Sequence, residues 1–144
     1  MKILMVCLGN ICRSPLAEGI MQHLSNQQQL NWEISSAGTG DWHVGQSPDQ
    51  RSIQVAKANG YDIGNQRAQH FNQNMFAQYD LILVMDRNNL KDVLNLAKTN
   101  EDKQKVKLFL NDDEVNDPYY DNALFNPVCL QIEERCKHIL KELT

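Results

Sequence analysis

Residues 2–8, "KILMVCL", stay apolar from Ile3 to Leu8 with no polar alternation. A strand with one wet face alternates apolar and polar residues, so this run reads as a strand covered on both faces. Such strands belong to parallel sheets, whose neighbours are joined by long crossovers, usually helices. The rest of the chain supplies matching pieces. "NWEISSAG" (31–38), "DLILVM" (80–85) and "VKLFL" (106–110) read as three further strands. Ser14 reads as an N-cap and Pro15 as the first residue of a helix running to about Gln28, with Leu16, Ile20, Met21 and Leu24 at helical spacing. A short helix is expected from Asp49 to Ala58, stopped by Asn59-Gly60, and loop with a short helix over 61–79. An amphipathic helix is expected over 88–97. Residues 38–48 and 111–127 read as loops, the second strongly acidic. Val128, Ile132, Cys136, Ile139, Leu140 and Leu143 mark one face of a terminal helix. The alternation predicts an α/β fold: a central four-stranded parallel sheet with helices on both faces, a flavodoxin-like or Rossmann-like three-layer sandwich, in one domain spanning 1–144.

The formal net charge is −4 and no basic run occurs, which argues against nucleic acid or an anionic membrane as partner. The apolar run after Lys2 is too short for a signal peptide or a spanning helix, so a cytoplasmic location is expected. The cysteines are Cys7, Cys12, Cys129 and Cys136. Their spacings, C-x4-C and C-x6-C, lack a histidine at a ligand-like interval, so neither a zinc site nor a disulfide scaffold is expected. Cys129 and Cys136 lie seven residues apart on one helical face and read as core. The four histidines read as surface or structural groups.

Chemistry is concentrated where the first strand meets the first helix. Ligands of open parallel sheets bind beyond the carboxyl ends of the strands, and Cys7 sits at that edge. A turn over Leu8, Gly9, Asn10, Ile11 and Cys12 followed by a helix start aims backbone N–H groups and a positive dipole end at one point, which suits a tetrahedral oxyanion. Gly9 permits a tight backbone and Asn10 tolerates positive φ. Arg13 offers a planar fork for two phosphate oxygens. The same field favours the ionised form of the Cys7 sulfur, the form that attacks phosphorus, and the Ser14 hydroxyl can donate to it. Cys12 is either turn packing or a second thiol that captures an oxidised Cys7 as a disulfide. The turn has no lysine of the nucleotide-binding loop, and no G-x-G-x-x-G occurs, so no nucleotide cofactor and no metal are expected.

The string "VCLGNICRSPLAE" resembles the signature V-C-x-G-N-x-C-R-S-P-x-A-E of the low-molecular-weight protein tyrosine phosphatases, bacterial type. The likeness continues through "SSAGTGDWHVG" (35–45), "DLILVMDRNNL" (80–90) and "NDPYYDN" (116–122), and so covers essentially the whole chain. It implies hydrolysis of phosphotyrosine and small aryl phosphates through a cysteinyl-phosphate, with no cofactor. Cys7 is the implied nucleophile, residues 8–13 with Arg13 the phosphate site, and Ser14 the support of the thiolate. Asp117 of "DPYY" is the implied general acid, with Pro118 restricting its loop, and Trp42, Tyr119 and Tyr120 are implied walls of the substrate cleft. The implied partner is a phosphotyrosine protein, in bacteria often a tyrosine autokinase, met by a monomer or weak dimer. Ile11 occupies the slot where related phosphoarginine phosphatases carry threonine. Asp121-Asn122 replaces a glycine-containing pair of many members and adds negative charge at the entrance. Alternatives are a phosphoarginine phosphatase or a thiol-dependent arsenate reductase of the same fold, and a non-catalytic phosphotyrosine or sulfate binder.

Overall fold

The computed structural model describes residues 1–144. Four strands form the sheet: β1 (Lys2–Cys7), β2 (Glu33–Gly38), β3 (Leu81–Val84) and β4 (Val106–Leu108). Six helices accompany them: α1 (Arg13–Gln27), α2 (Gln50–Ala58), α3 (Met75–Gln78), α4 (Arg87–Leu96), α5 (Asn100–Gln104) and α6 (Phe125–Leu143). The strands are all parallel, in the order β2-β1-β3-β4. No helix is long and apolar enough to cross a membrane.

The double burial expected of β1 follows from its pleat. Ile3, Met5 and Cys7 point into one core with Leu16 and Ile20 of α1 and Val128 and Ile132 of α6. Leu4 and Val6 point into a second core with Phe71, Phe76 and Val93. Each such side chain contributes about 1.5–3 kcal/mol by leaving water. The chain runs from β1 to β2 on one side and then crosses to β3 on the other. At that reversal the loops after β1 and β3 part, and a crevice opens at the carboxyl edge, beside Cys7.

Several local expectations are corrected. Ser14 is not an N-cap: α1 begins two residues earlier than expected, at Arg13, its cap position is Cys12 without a side-chain bond, and Pro15 is the third helical residue. Pro15 still falls in the first turn, where its missing N–H has no intrahelical partner to lose. Helix α5 interrupts a stretch that has no apolar face. Thr99 caps it by accepting from the Asp102 N–H at 3.0 Å, and none of its residues is buried. Helix α6 starts at Phe125, within the expected acidic loop, after a 3₁₀ turn at Asn122–Leu124. Leu143, expected on its core face, is 38% exposed. The short helix over 50–58 stands as read, capped by Asp49 and ended by Asn59 and by Gly60 at φ +93°.

Candidate active site

The segment after β1 is held from outside by its carbonyls. Cys7 O accepts from Thr39 N–H, Leu8 O from Gly40, Ile11 O from Asp49 and Cys12 O from Leu16. The N–H groups of Leu8, Gly9, Ile11 and Cys12 donate to no other atom of the protein. The loop thus turns its acceptors away and keeps its donors, the arrangement of an anion nest. Gly38 lets the end of β2 lie against this loop; a Cβ there would stand 2.8 Å from Leu8 O.

Asn10 fixes the loop's shape. It takes φ +58° and is buried. Its Oδ1 accepts from Gln69 N–H at 3.0 Å, which assigns the amide group, and its Nδ2 donates to Ser14 Oγ at 2.8 Å and Ser36 Oγ at 2.9 Å. Ser14 Oγ, already accepting from Asn10, lies 3.0 Å from Cys7 Sγ, with its own proton free for the sulfur. Asn10 N–H donates to the same sulfur at 3.3 Å. Behind this pair, Ser36 donates to Glu18 Oε1 at 2.7 Å. Burial pushes the Glu18 carboxyl above its usual range, against the opposing effect of that bond.

Arg13 is almost wholly buried. Its Nη1 donates to Asp86 Oδ2 at 2.7 Å and to Val115 O at 3.0 Å. Burial works against its charge, while the Cys7 sulfur, Asp86 and Asp117 outweigh it and push the guanidinium higher still. Asp86 serves two elements, since its other oxygen caps α4 by accepting from Asn89 N–H at 2.8 Å. Asp117 is more open, its side chain 38% exposed, with Oδ2 3.8 Å from Arg13 Nη2 and Oδ1 accepting from Tyr119 N–H at 3.1 Å. The neighbouring Pro118 is buried.

Cys7, Leu8, Gly9, Ile11, Cys12, Arg13, Trp42, Asp117, Tyr119 and Tyr120 all line one cleft of about 340 Å³. Asn10 and Ser14 stand behind its floor. Trp42 and Tyr120 are largely exposed, and Tyr119 meets Tyr120 edge to face at 5.0 Å. Every residue singled out from the sequence therefore falls in or directly behind this cleft. His43, read from the sequence as a surface or structural group, also lines it, with Nδ1 3.0 Å from Gln46 Oε1. Asp86 and Ser36 were missed. Asp86 had a readable signal, an acid at the carboxyl end of a buried parallel strand, the edge where Cys7 lies. Ser36 had none, because its role depends on a contact 26 residues away.

Burial, with the Asp49 and Cys7 charges, pushes Cys12 up to about 12. Burial pushes Cys129 up to about 11, and Cys136 higher still. Both lie in α6 with no exposed surface.

The model of the family described as low molecular weight phosphotyrosine protein phosphatase matches residues 2–144. A protein of that description from Sus scrofa is 37% identical, the match covering 99% of this chain and 95% of that protein. A protein tyrosine phosphatase from Entamoeba histolytica superposes with a TM-score of 0.93 at 34% identity, over 99% of this chain and 96% of that one. A Drosophila arginine phosphatase superposes with a TM-score of 0.91 at 34% identity, over 100% of this chain and 98% of that one. A cysteine and an arginine brought together by one anion-cradling turn, on a sheet of this order and with matches of this extent, place the chain in the low molecular weight phosphotyrosine protein phosphatase family.

Proposed function

We propose that the chain hydrolyses phosphotyrosine in proteins, with Cys7 as nucleophile, Arg13 and the 8–13 amides as the phosphate site, and Asp117 as general acid. The observation that carries this reading is the Cys7 sulfur itself, on the floor of the cleft, met by Asn10 N–H and Ser14 Oγ. The Cys7 thiolate attacks phosphorus as the bond to the phenolic oxygen breaks. Asp117, protonated, gives its proton to that oxygen and so avoids expelling a phenolate. The product is a cysteinyl-phosphate and free tyrosine hydroxyl. Asp117, now ionised, takes a proton from water, whose oxygen attacks phosphorus. The S–P bond breaks, phosphate leaves, and the Ser14 and Asn10 donors receive the returning thiolate. Arg13 and the free amides stabilise the charge on the equatorial oxygens throughout.

Trp42, Tyr119 and Tyr120 supply faces for a phenyl ring, and the depth of Cys7 below them favours phosphotyrosine over the shorter phosphoserine. Ile11 favours the tyrosine reading over phosphoarginine. Arsenate reduction needs relay thiols, and Cys129 and Cys136 are sealed in the core. The set is complete within one chain, so the reading needs no second copy. The partner class we propose is a phosphotyrosine protein, a bacterial tyrosine autokinase being the first to assay. The test offers phosphotyrosine, phosphoserine and phosphoarginine peptides, and thioredoxin-coupled arsenate, to wild type and Cys7→Ser. We expect release of phosphate from phosphotyrosine peptide by wild type alone, with a burst of phenol from an aryl phosphate marking the covalent step. Full turnover by Cys7→Ser, or faster turnover of phosphoarginine, overturns it.

A further inference from the structure

The acidic loop that carries Asp117 is held before Asp117 by Arg87 and Arg13, and after it by one side chain from a distant helix. Arg51 of α2 donates through Nη1 to Tyr119 O at 2.9 Å and to Asn122 Oδ1 at 2.7 Å. Its opposite edge is fixed twice by Asp49, Nε to Oδ1 at 3.0 Å and Nη2 to Oδ2 at 2.8 Å. Its carbon Cζ lies 4.5 Å from the ring centre of Phe125 and 5.3 Å from that of Tyr119. Both edges and the flat face of the guanidinium are therefore engaged, which leaves it little rotamer freedom.

This grip continues at both ends. Asp49 N–H donates to Ile11 O of the phosphate loop at 2.8 Å. Tyr119, whose carbonyl Arg51 holds, donates its own N–H to Asp117 Oδ1 at 3.1 Å. An unbroken run of bonds thus leads from Ile11 through Asp49, Arg51 and Tyr119 to the carboxyl group of Asp117. Each link is close to ideal length, and two are charge-assisted, the Asp49 pair and the Arg51 bonds to the loop.

We infer that Arg51 is a positioning residue for proton transfer: it docks the Asp117 loop onto the phosphate loop and sets the reach of the Asp117 carboxyl to the leaving oxygen. This rests on the proposed role of Asp117. Arg51 lines a groove of about 500 Å³ beside the main cleft and faces away from the cup that holds the phosphate. Its loss therefore removes alignment of the acid and leaves the phosphate site in place.

The test measures kcat/KM for a series of aryl phosphates whose phenols range from acidic to weakly acidic, together with inhibition by inorganic phosphate. The proteins are wild type, Arg51→Gln, Arg51→Lys, Asn122→Ala, Asp117→Asn and the Arg51→Gln/Asp117→Asn double variant. Weakly acidic phenols need the proton most, so Arg51→Gln should lose about 10- to 50-fold there and only a few-fold with p-nitrophenol. Inhibition by phosphate should hold within about twofold, since the anion nest is untouched. Arg51→Lys should recover part of the loss, because an ammonium reaches Tyr119 O but cannot grip Asp49 at the same time. Asn122→Ala, which leaves α2 intact, should show a smaller loss of the same slope and keeps the test decisive should Arg51→Gln fold poorly. The double variant should be no slower than Asp117→Asn. Uniform loss across all phenols, or weakened phosphate inhibition, or additive losses in the double variant, would overturn the inference. If Asp117→Asn itself shows no dependence on the phenol, the reading of Asp117 falls and takes this inference with it. A slope in Asp117→Asn without one in Arg51→Gln overturns this inference alone.

Discussion

The two loops that meet at the cleft are built on opposite plans. Residues 7–14 are mostly buried and over-determined: the carbonyls of Cys7, Leu8 and Ile11 are tied outward, Asn10 makes three side-chain bonds, and Arg13 is pinned by Asp86 and Val115. Residues 111–122 are mostly exposed, and Asp117 touches the buried loop only through a 3.8 Å approach to Arg13. The difference follows from what each must do. A cup for a developing trianionic phosphoryl group is useful only if its dipoles are already aimed, because reorganising them would cost what they contribute. In the proposed mechanism the acid above that cup has to let an aromatic phosphate enter and inorganic phosphate leave, which suits an exposed segment. On the proposed mechanism, electrostatic work belongs to the buried loop and proton delivery to the exposed one.

Substitutions can break or sharpen that contrast. The largest effect should come from the buried side. Cys7→Ser is expected to abolish turnover of every aryl phosphate, a loss beyond about 10⁴-fold, while phosphate still binds as judged by calorimetry. Next is the exposed side. Asp117→Asn should slow hydrolysis by about 10²–10³-fold for weakly acidic phenols, and much less for p-nitrophenol, in steady-state assays. An equal loss for all phenols would erase the division of labour. Asn10→Ala should cost about 2–3 kcal/mol in urea unfolding, since it strands buried partners and puts alanine, which tolerates the left-handed region less well than asparagine, at φ +58°. Its activity loss should be the same for every phenol, the signature of a distorted cup. Tyr120→Ala, at a residue 91% exposed, should leave the melting temperature unchanged and raise KM a few-fold for phosphotyrosine peptide.

The smallest effect is one of pH. The bond from Arg51 holds the Asp49 carboxyl below the usual carboxylate range, with burial opposing. A lowered acid contributes stability that is complete above its unfolded value, near about 3.9, and is lost as pH falls through the lower folded one. The stability gap between wild type and Asp49→Asn should therefore be open at pH 7 and narrow as pH falls below about 3.9, measured by urea unfolding. Glu18 runs the other way. Burial raises its carboxyl, so its ionised form is a liability at neutral pH, and Glu18→Gln should be level with or above wild type at pH 7 and lose that advantage near pH 4.

Particular residues show how far the sequence could be read. The phosphate loop was legible because its parts are contiguous: strand end, turn and helix start lie within eight residues. Asp117 was legible only through its Asp-Pro-aromatic setting, since Asp112, Asp113, Glu114 and Asp121 surround it. Ser14 was misread as a cap, because a serine before a proline at a helix start signals one locally, although its hydroxyl was also expected beside the Cys7 sulfur, where it lies at 3.0 Å. Asp121, noted in the sequence only for its added negative charge, caps the 3₁₀ turn by accepting from Ala123 N–H at 3.0 Å. Asn122 was noted only as a departure, and its partner Arg51 lies 71 residues earlier.

By itself, the order of residues determined the layered architecture and the chemistry at the first strand's end, because periodicity and a contiguous motif are local properties that survive without coordinates. Tertiary structure alone decided which groups serve that chemistry from afar. Ser36, Gln69 and Arg51 acquire their roles only when the parallel sheet brings separate crossovers to one edge. A hydrogen bond depends on distance and angle in space, and nothing in a residue's neighbours along the chain encodes a partner many tens of positions away.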